Sequence, residues 1–165
     1  MTFTTREVLE RIAEILEGEN GVRASLEELR KEYELVQEHS WPAEVKVLKA
    51  AAEHAEKAWG SQYPAMILFC EKIRSRPTER LRRFSGEVEV GLEVRVSQDR
   101  LEGITDRLHY YSDAVRDALE RSSGCIGPGL YLSAEMAVQI DGVKKGGSHF
   151  LQTSHVTCTV IVNRE

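Results

Sequence analysis

Three cysteines, Cys70, Cys125 and Cys158, are all that the chain offers. No C-x-x-C pair is formed, and an odd number leaves one thiol unpaired in any disulfide scheme, so a reducing compartment is the simpler reading. Long apolar runs are missing too. Nothing approaches the roughly 18 consecutive apolar residues of a membrane span, and the polar, helix-like stretch from Met1 to Arg11 has no apolar signal core, so neither secretion nor membrane insertion is expected. Positive charge is also in short supply: 22 Lys and Arg stand against 27 Asp and Glu, a formal net charge of −5. Phosphate contact needs a basic surplus, which makes a nucleic-acid reader a poor fit.

The motifs of familiar chemistry are absent as well. No serine sits in a G-x-S-x-G elbow and no cysteine in a nucleophile context. Lys144-Lys145-Gly146-Gly147-Ser148 puts lysine before glycine, the reverse of a phosphate loop, and reads as a turn. His149 and His155 would share a strand face about 20 Å apart at roughly 3.3 Å per residue, too far for one metal. His39, His54 and His109 have no Cys, Asp or His at ligand spacing. Of the cysteines, Cys70 and Cys158 fall on apolar strand parity as small hydrophobes, and only Cys125, in the loop from Ser122 to Gly129, is a candidate for an exposed thiol. Carboxylate pairs such as Glu27-Glu28, Glu87/Glu89/Glu93 and Asp113/Asp117 are frequent, but acid/base work needs a carboxylate in an apolar cleft, and the first two sets lie on faces that the pattern marks as solvated. No enzyme, metal or cofactor is expected.

What is present is a strong element pattern. At 165 residues, 41% hydrophobic and 30% charged, the chain suits one domain with its own core. Thr4 or Thr5 caps a first helix whose apolar stripe, Val8, Leu9, Ile12, Ile15 and Leu16, ends near Gly18. Leu26, Leu29, Tyr33 and Val36, then Val45, Leu48, Ala52, Ala55 and Trp59 beyond the break at Ser40-Trp41-Pro42, predict a helical hairpin inserted over about residues 25–59. Ala65 to Cys70 is a short apolar run, a strand covered on both faces. Val88, Val90, Leu92, Val94 and Val96 alternate with Glu87, Glu89, Gly91, Glu93 and Arg95, a half-buried strand with one charged face. Leu101, Ile104, Leu108, Tyr111, Val115 and Ala118 recur at helical spacing. Two further strands follow, Leu132 to Ile140 and Phe150 to Val162, joined by a hairpin tip within Asp141 to Ser148. The expectation is an α+β fold, an antiparallel or mixed four-stranded sheet with helices mainly on one face.

One charge feature stands out. Between Lys72 and Arg83 six basic residues, Lys72, Arg74, Arg76, Arg80, Arg82 and Arg83, oppose only Glu79. A solvated loop and a docking segment for an acidic partner surface are both open, and the Glu87, Glu89 and Glu93 face of a neighbouring copy is one specific complement. Lys144 and Lys145 are further candidates for partner contact.

Tyr63-Pro64-Ala65-Met66-Ile67-Leu68 leading into a sheet, the long alternating strand Gly86 to Ser97, the helix Asp99 to Arg121 with Tyr110, Val115 and Ala118-Leu119 before a loop, and Gly147-Ser148-His149-Phe150-Leu151-Gln152-Thr153-Ser154 opening the last strand together resemble the tail terminator or tail-completion family of bacteriophages. The similarity covers Thr5 to Glu17 and Tyr63 to Arg164; the insertion at 25–59 is longer than a minimal member needs. The resemblance implies a non-enzymatic subunit made in the bacterial cytoplasm and carried in the virion. It would form a hexameric ring at the tail–head junction that binds the last ring of tail tube protein, stops tube growth and meets the head connector. A head-completion or neck protein, and a small-molecule-binding α+β domain, remain as alternatives.

Overall fold

Alternation at period two on three long segments and one apolar run, with helical stripes before and between them, builds a helix layer on a single sheet. The computed structural model describes residues 3–30, 32–33, 47–49, 63–76 and 84–164. The elements are α1 (Thr5–Glu17), α2 (Val22–Leu29), β1 (Val47–Lys49), β2 (Ala65–Ser75), β3 (Phe84–Gln98), α3 (Ile104–Arg121), β4 (Gly124–Gly127), β5 (Leu130–Ile140), β6 (Lys144–Gly146) and β7 (His149–Arg164). The strands form one seven-stranded sheet in the order β1-β2-β3-β7-β5-β4, with β6 alongside β7. β1 and β2 run parallel; the other described pairs are antiparallel. The α+β class and the helix-bearing face are as expected. Seven strands replace the expected four, because β1, β4 and β6 are three or four residues long and too short to show a period.

The central pair is β3 with β7, in unbroken register from Phe84 opposite Arg164 to Gln98 opposite Phe150. Val88, Val90, Leu92, Val94 and Val96 from β3, and Val156, Cys158, Val160 and Val162 from β7, point toward the helices and are buried. Val8, Ile12 and Leu16 of α1, and Leu108, Tyr111, Val115 and Leu119 of α3, close over them in one core. Thr4 caps α1, its side chain accepting from the Glu7 amide at 3.3 Å. α3 begins at Ile104 because Gly103, at φ 77°, takes the left-handed turn that precedes it. Leu101, expected on the buried stripe of this helix, therefore lies outside it and is 55% exposed.

Polar contacts lock the helix layer. The Ser112 hydroxyl bonds the Leu108 carbonyl at 2.7 Å and lies 2.5 Å from the Ser154 hydroxyl of β7, a buried link between α3 and the sheet. α2 is fastened to α3 at its middle. Ser25 donates to Asp117 at 2.7 Å and accepts from Arg121 at 2.6 Å, while the Tyr110 hydroxyl donates to the Leu26 carbonyl. Just beyond α2, Tyr33 donates to Asp113, and its ring lies 5.4 Å from that of Tyr110. Burial, followed by the Asp113 contact, pushes the Tyr33 phenol up to about 12; burial, then the neighbouring Tyr111, does the same for Tyr110.

The helical hairpin expected over 25–59 needs correction. Its first arm is α2, which starts at Val22 and stops at Leu29, followed by a turn at Glu32-Tyr33. Leu48, placed on the second arm, belongs instead to β1, where Val47, Leu48 and Lys49 pair with Met66, Ile67 and Leu68. Three residues span less than one helical turn, so spacing alone could not tell the two apart. Val36, Val45, Ala52, Ala55 and Trp59 fall outside the described residues. Ala65 to Leu68 are all buried, as a strand covered on both faces requires. The segment Asp141 to Ser148 is more than a tip: β6 pairs Lys144, Lys145 and Gly146 with Leu151, Phe150 and His149, and Gly147, at φ 61°, with Ser148 makes the turn.

Candidate functional site on the outer sheet face

The strand register fixes which side chains stand together on the face opposite the helices. From β2 come Ile67, Phe69, Lys72 and Arg74; from β3, Glu93, Gly91, Glu89 and Glu87 directly across from them. Next in β7 are His155, Thr157, Thr159 and Ile161, opposite the same four β3 positions. β5 adds Tyr131, across from Ile161, with Cys125 of β4 beyond it. Tyr131 is 53% and Ile161 43% exposed.

The basic stretch and the glutamates thus meet within one chain. Lys72 faces Glu89 and Arg74 faces Glu87, and Arg76, just past β2, reaches Glu87 at 3.2 Å. Glu93 pairs with Arg95 two residues along at 2.8 Å, with side chains only 18% and 13% exposed. The expectation of a solvated glutamate face is corrected here. A strand with a neighbour on each side has its outward side chains shaded by both rows, and Glu87, Glu89 and Glu93 are half-buried. Arg80, Arg82 and Arg83 lie outside the described residues. Lys144 and Lys145 do not join this cluster, for they sit on β6, where the Lys145 ammonium lies 5.8 Å over the Phe150 ring.

The centre of the face was not foreseen. Between Cys70 and Lys72 the β2–β3 register shifts by one residue, leaving Glu71 as the extra one. Its carboxylate contacts His155 Nε2 on β7, across the whole width of β3. The Phe69 ring crosses the same gap and meets the His155 ring edge-on at 5.5 Å. Both reach over because β3 carries Gly91 at this point: a Cβ there would lie 2.8 Å from the Phe69 ring and from Glu71 Oε1. Gly91, the one uncharged member of the alternating outer row between Glu87 and Arg95, was the available signal, since a glycine inside a strand marks a close approach. The bulge hid the rest, because alternation counted past Glu71 turns Lys72 and Arg74 to the wrong face.

A second feature is an open groove of about 510 Å³ beside the ends of α1 and α3, lined by Arg11, Glu14, Ile15, Arg121, Ser122, Ser123, Cys125 and Ile126. Its cations are already used: Arg11 holds Glu14 at 2.8 Å and Arg121 holds the Asn20 carbonyl at 2.9 Å. It lacks the apolar lining that a small-molecule pocket needs. Among the described residues no three His, Cys, Asp or Glu side chains converge to hold a metal ion, and no helix is long and apolar enough to cross a membrane.

The cysteines differ sharply. Cys125 is exposed, Cys70 is half-buried, and Cys158 is in the core. Burial, with a smaller push from Glu71, raises the Cys158 thiol to about 12, and burial raises Cys70 as well. Because the thiolate is the reacting form, an aromatic disulfide reagent at pH 8 is expected to modify Cys125 within minutes, Cys70 more slowly and Cys158 only after unfolding. Fast reaction of all three in the native protein would contradict this packing.

What the outer face offers is a surface of matched charges, one aromatic–imidazole contact and the exposed apolar pair Tyr131 and Ile161. No protein-family model matches the chain, and no curated protein matches it either.

Proposed function

We propose that the chain is a structural subunit of a ring at the head-proximal end of a bacteriophage tail, where it stops tail-tube polymerisation and provides the surface to which the head is joined. The observation that carries this reading is the one-sided architecture. Among the described residues α1 and α3 pack on one face of the sheet, and the opposite face presents the Arg76–Glu87 and Arg95–Glu93 pairs, the Glu71–His155 contact and the apolar pair Tyr131 and Ile161. The segments that carry the family resemblance are the ones that build this sheet and α3. A ring subunit needs such flat, charge-patterned surfaces for its neighbours, for the tail tube protein and for the head connector, and it needs no chemistry of its own.

The test is electron microscopy of the particles made when the gene is deleted from its phage or prophage. The proposal expects overlong or irregular tail tubes separated from filled heads. Normal-length free tails beside leaking heads would assign the chain to head completion instead, and normal particles would remove it from both roles.

A further inference from the structure

β2 is held differently along its two halves. Met66, Ile67 and Leu68 lie between β1 and β3, but from Phe69 to Ser75 the described partner is β3 alone. The register shift between Cys70 and Lys72 falls in this second half, where the bulge interrupts the ladder. A side chain spans the interruption. Glu71, the extra residue, reaches across β3 to His155 Nε2 on β7, a strand with which β2 does not pair.

The charges around this contact balance when His155 holds a proton. On β3, Glu93 stands opposite His155 but is held by Arg95 at 2.8 Å. On β5 the residue opposite is Gln139, which is uncharged. β2 supplies Glu71 and the Phe69 ring, edge-on at 5.5 Å, and its next cation, Lys72, is registered against Glu89. Along β7 the neighbours on the same face are Thr153 and Thr157. Among the described residues Glu71 has no ion-pair partner besides His155. An imidazolium meets its carboxylate as a counter-ion with a charged N–H, whereas a neutral imidazole offers an uncharged donor or, in the other tautomer, a lone pair.

We infer that Glu71 and His155 form a proton-operated clasp: with His155 protonated, the bulged half of β2 is tied down to β7, and loss of that proton releases the strand end that carries Lys72, Arg74 and Arg76. The direction follows from the charges. The attraction is present while His155 holds its proton and Glu71 has lost its own, and it fades as pH rises through the range in which imidazoles titrate. His155 is half-buried on an outer face, so water reaches it to exchange the proton. The clasp acts on a strand end with one described neighbour, so its release opens that segment locally and leaves the core closed. This does not rest on the ring reading, since it concerns the fold of a single chain.

Hydrogen–deuterium exchange of residues 71–76, read by mass spectrometry at about pH 5.5 and about pH 8.0 and corrected for the intrinsic effect of pH on exchange, tests it. Opening of this segment is expected to be roughly threefold to fivefold more frequent at the higher pH, the size that a partly exposed pair allows, while Leu92 to Val96 of β3 show no such change. His155→Gln, which keeps a hydrogen-bonding side chain but takes up no proton, should open equally at both pH values, and Glu71→Gln should do the same. The ring proton resonances of His155, assigned by their absence from the His155→Gln spectrum, should titrate over the pH range in which the segment opens. Equal opening of the wild type at the two pH values, or a pH dependence that survives in either variant, overturns the inference. These readouts concern the isolated chain, so they stand apart from the deletion phenotype.

Discussion

Val94→Asp is expected to abolish folding. Val94 has no exposed surface, lies midway along β3 between Met66 of β2 and Ser154 of β7, and belongs to the core that α1 and α3 close over. No cation among the core residues could pair with a carboxylate there. An unpartnered buried carboxylate costs several kcal/mol even after it takes up a proton, and that is a large part of the roughly 5–15 kcal/mol that holds a domain together. The control is one strand-face away. Glu89→Val, on the outer side opposite Lys72 and Thr159, should fold, with stability changed by about 1 kcal/mol or less, because a partly solvated charge pair contributes little. Circular dichroism and thermal unfolding decide the matter. A folded, soluble Val94→Asp protein would mean that the strand's two faces have been assigned the wrong way round.

That experiment tests what was most legible. The alternation from Val88 to Val96 named the inner face of β3 correctly at every position, and the start of α1 at Thr4 or Thr5 and its end near Gly18 were equally plain. These signals are local: one residue's neighbours along the chain suffice to read them. The elements that were missed depend on partners far away in sequence. β1 is three residues whose identity as a strand comes from Met66, Ile67 and Leu68 beside them. The depth of the Glu93–Arg95 pair comes from β2 and β7 flanking β3, which no pattern within β3 reveals.

The candidate site divides in the same way. Arg74, Arg76, Glu87 and Glu89 were visible as opposite charges, and within one sheet Lys72 and Arg74 are registered against Glu89 and Glu87. Glu71 and His155, 84 residues apart, join through a bulge and a missing side chain. Only the glycine of that arrangement is conspicuous in the sequence. Neutralising its own glutamates leaves the outer face with matched charge rather than a net acidic field, so in the proposed role a partner would be recognised there by the pattern of charges and by Tyr131 and Ile161.

Gly21→Ala is expected to be the most damaging of the small substitutions at the α1–α2 junction, and Gly18→Ala beside it close to harmless. Either glycine would serve as a helix stop on sequence grounds. In the fold they differ: a Cβ at Gly18 comes to 3.1 Å from the Glu14 carbonyl oxygen, a contact relieved by a few tenths of an ångström, whereas a Cβ at Gly21 falls 2.3 Å from the Leu16 carbonyl oxygen and 2.6 Å from that of Ile15. Those are backbone atoms in the last turn of α1, so relief requires moving one helix against the other. α2 starts at the next residue and carries Ser25 and Leu26, the anchors for Asp117, Arg121 and Tyr110 of α3. Displacing it strains all three contacts together. Overpacking of this kind costs about 1–3 kcal/mol, which for a chain of this size lowers the melting temperature by about 2–12 °C. The near-ultraviolet dichroism of Tyr110 and Tyr33 should change with it, because α2 and the turn that follows position both rings. Equal melting temperatures for the two variants would show that α2 is free to shift, and that its three bonds to α3 do not hold it in place.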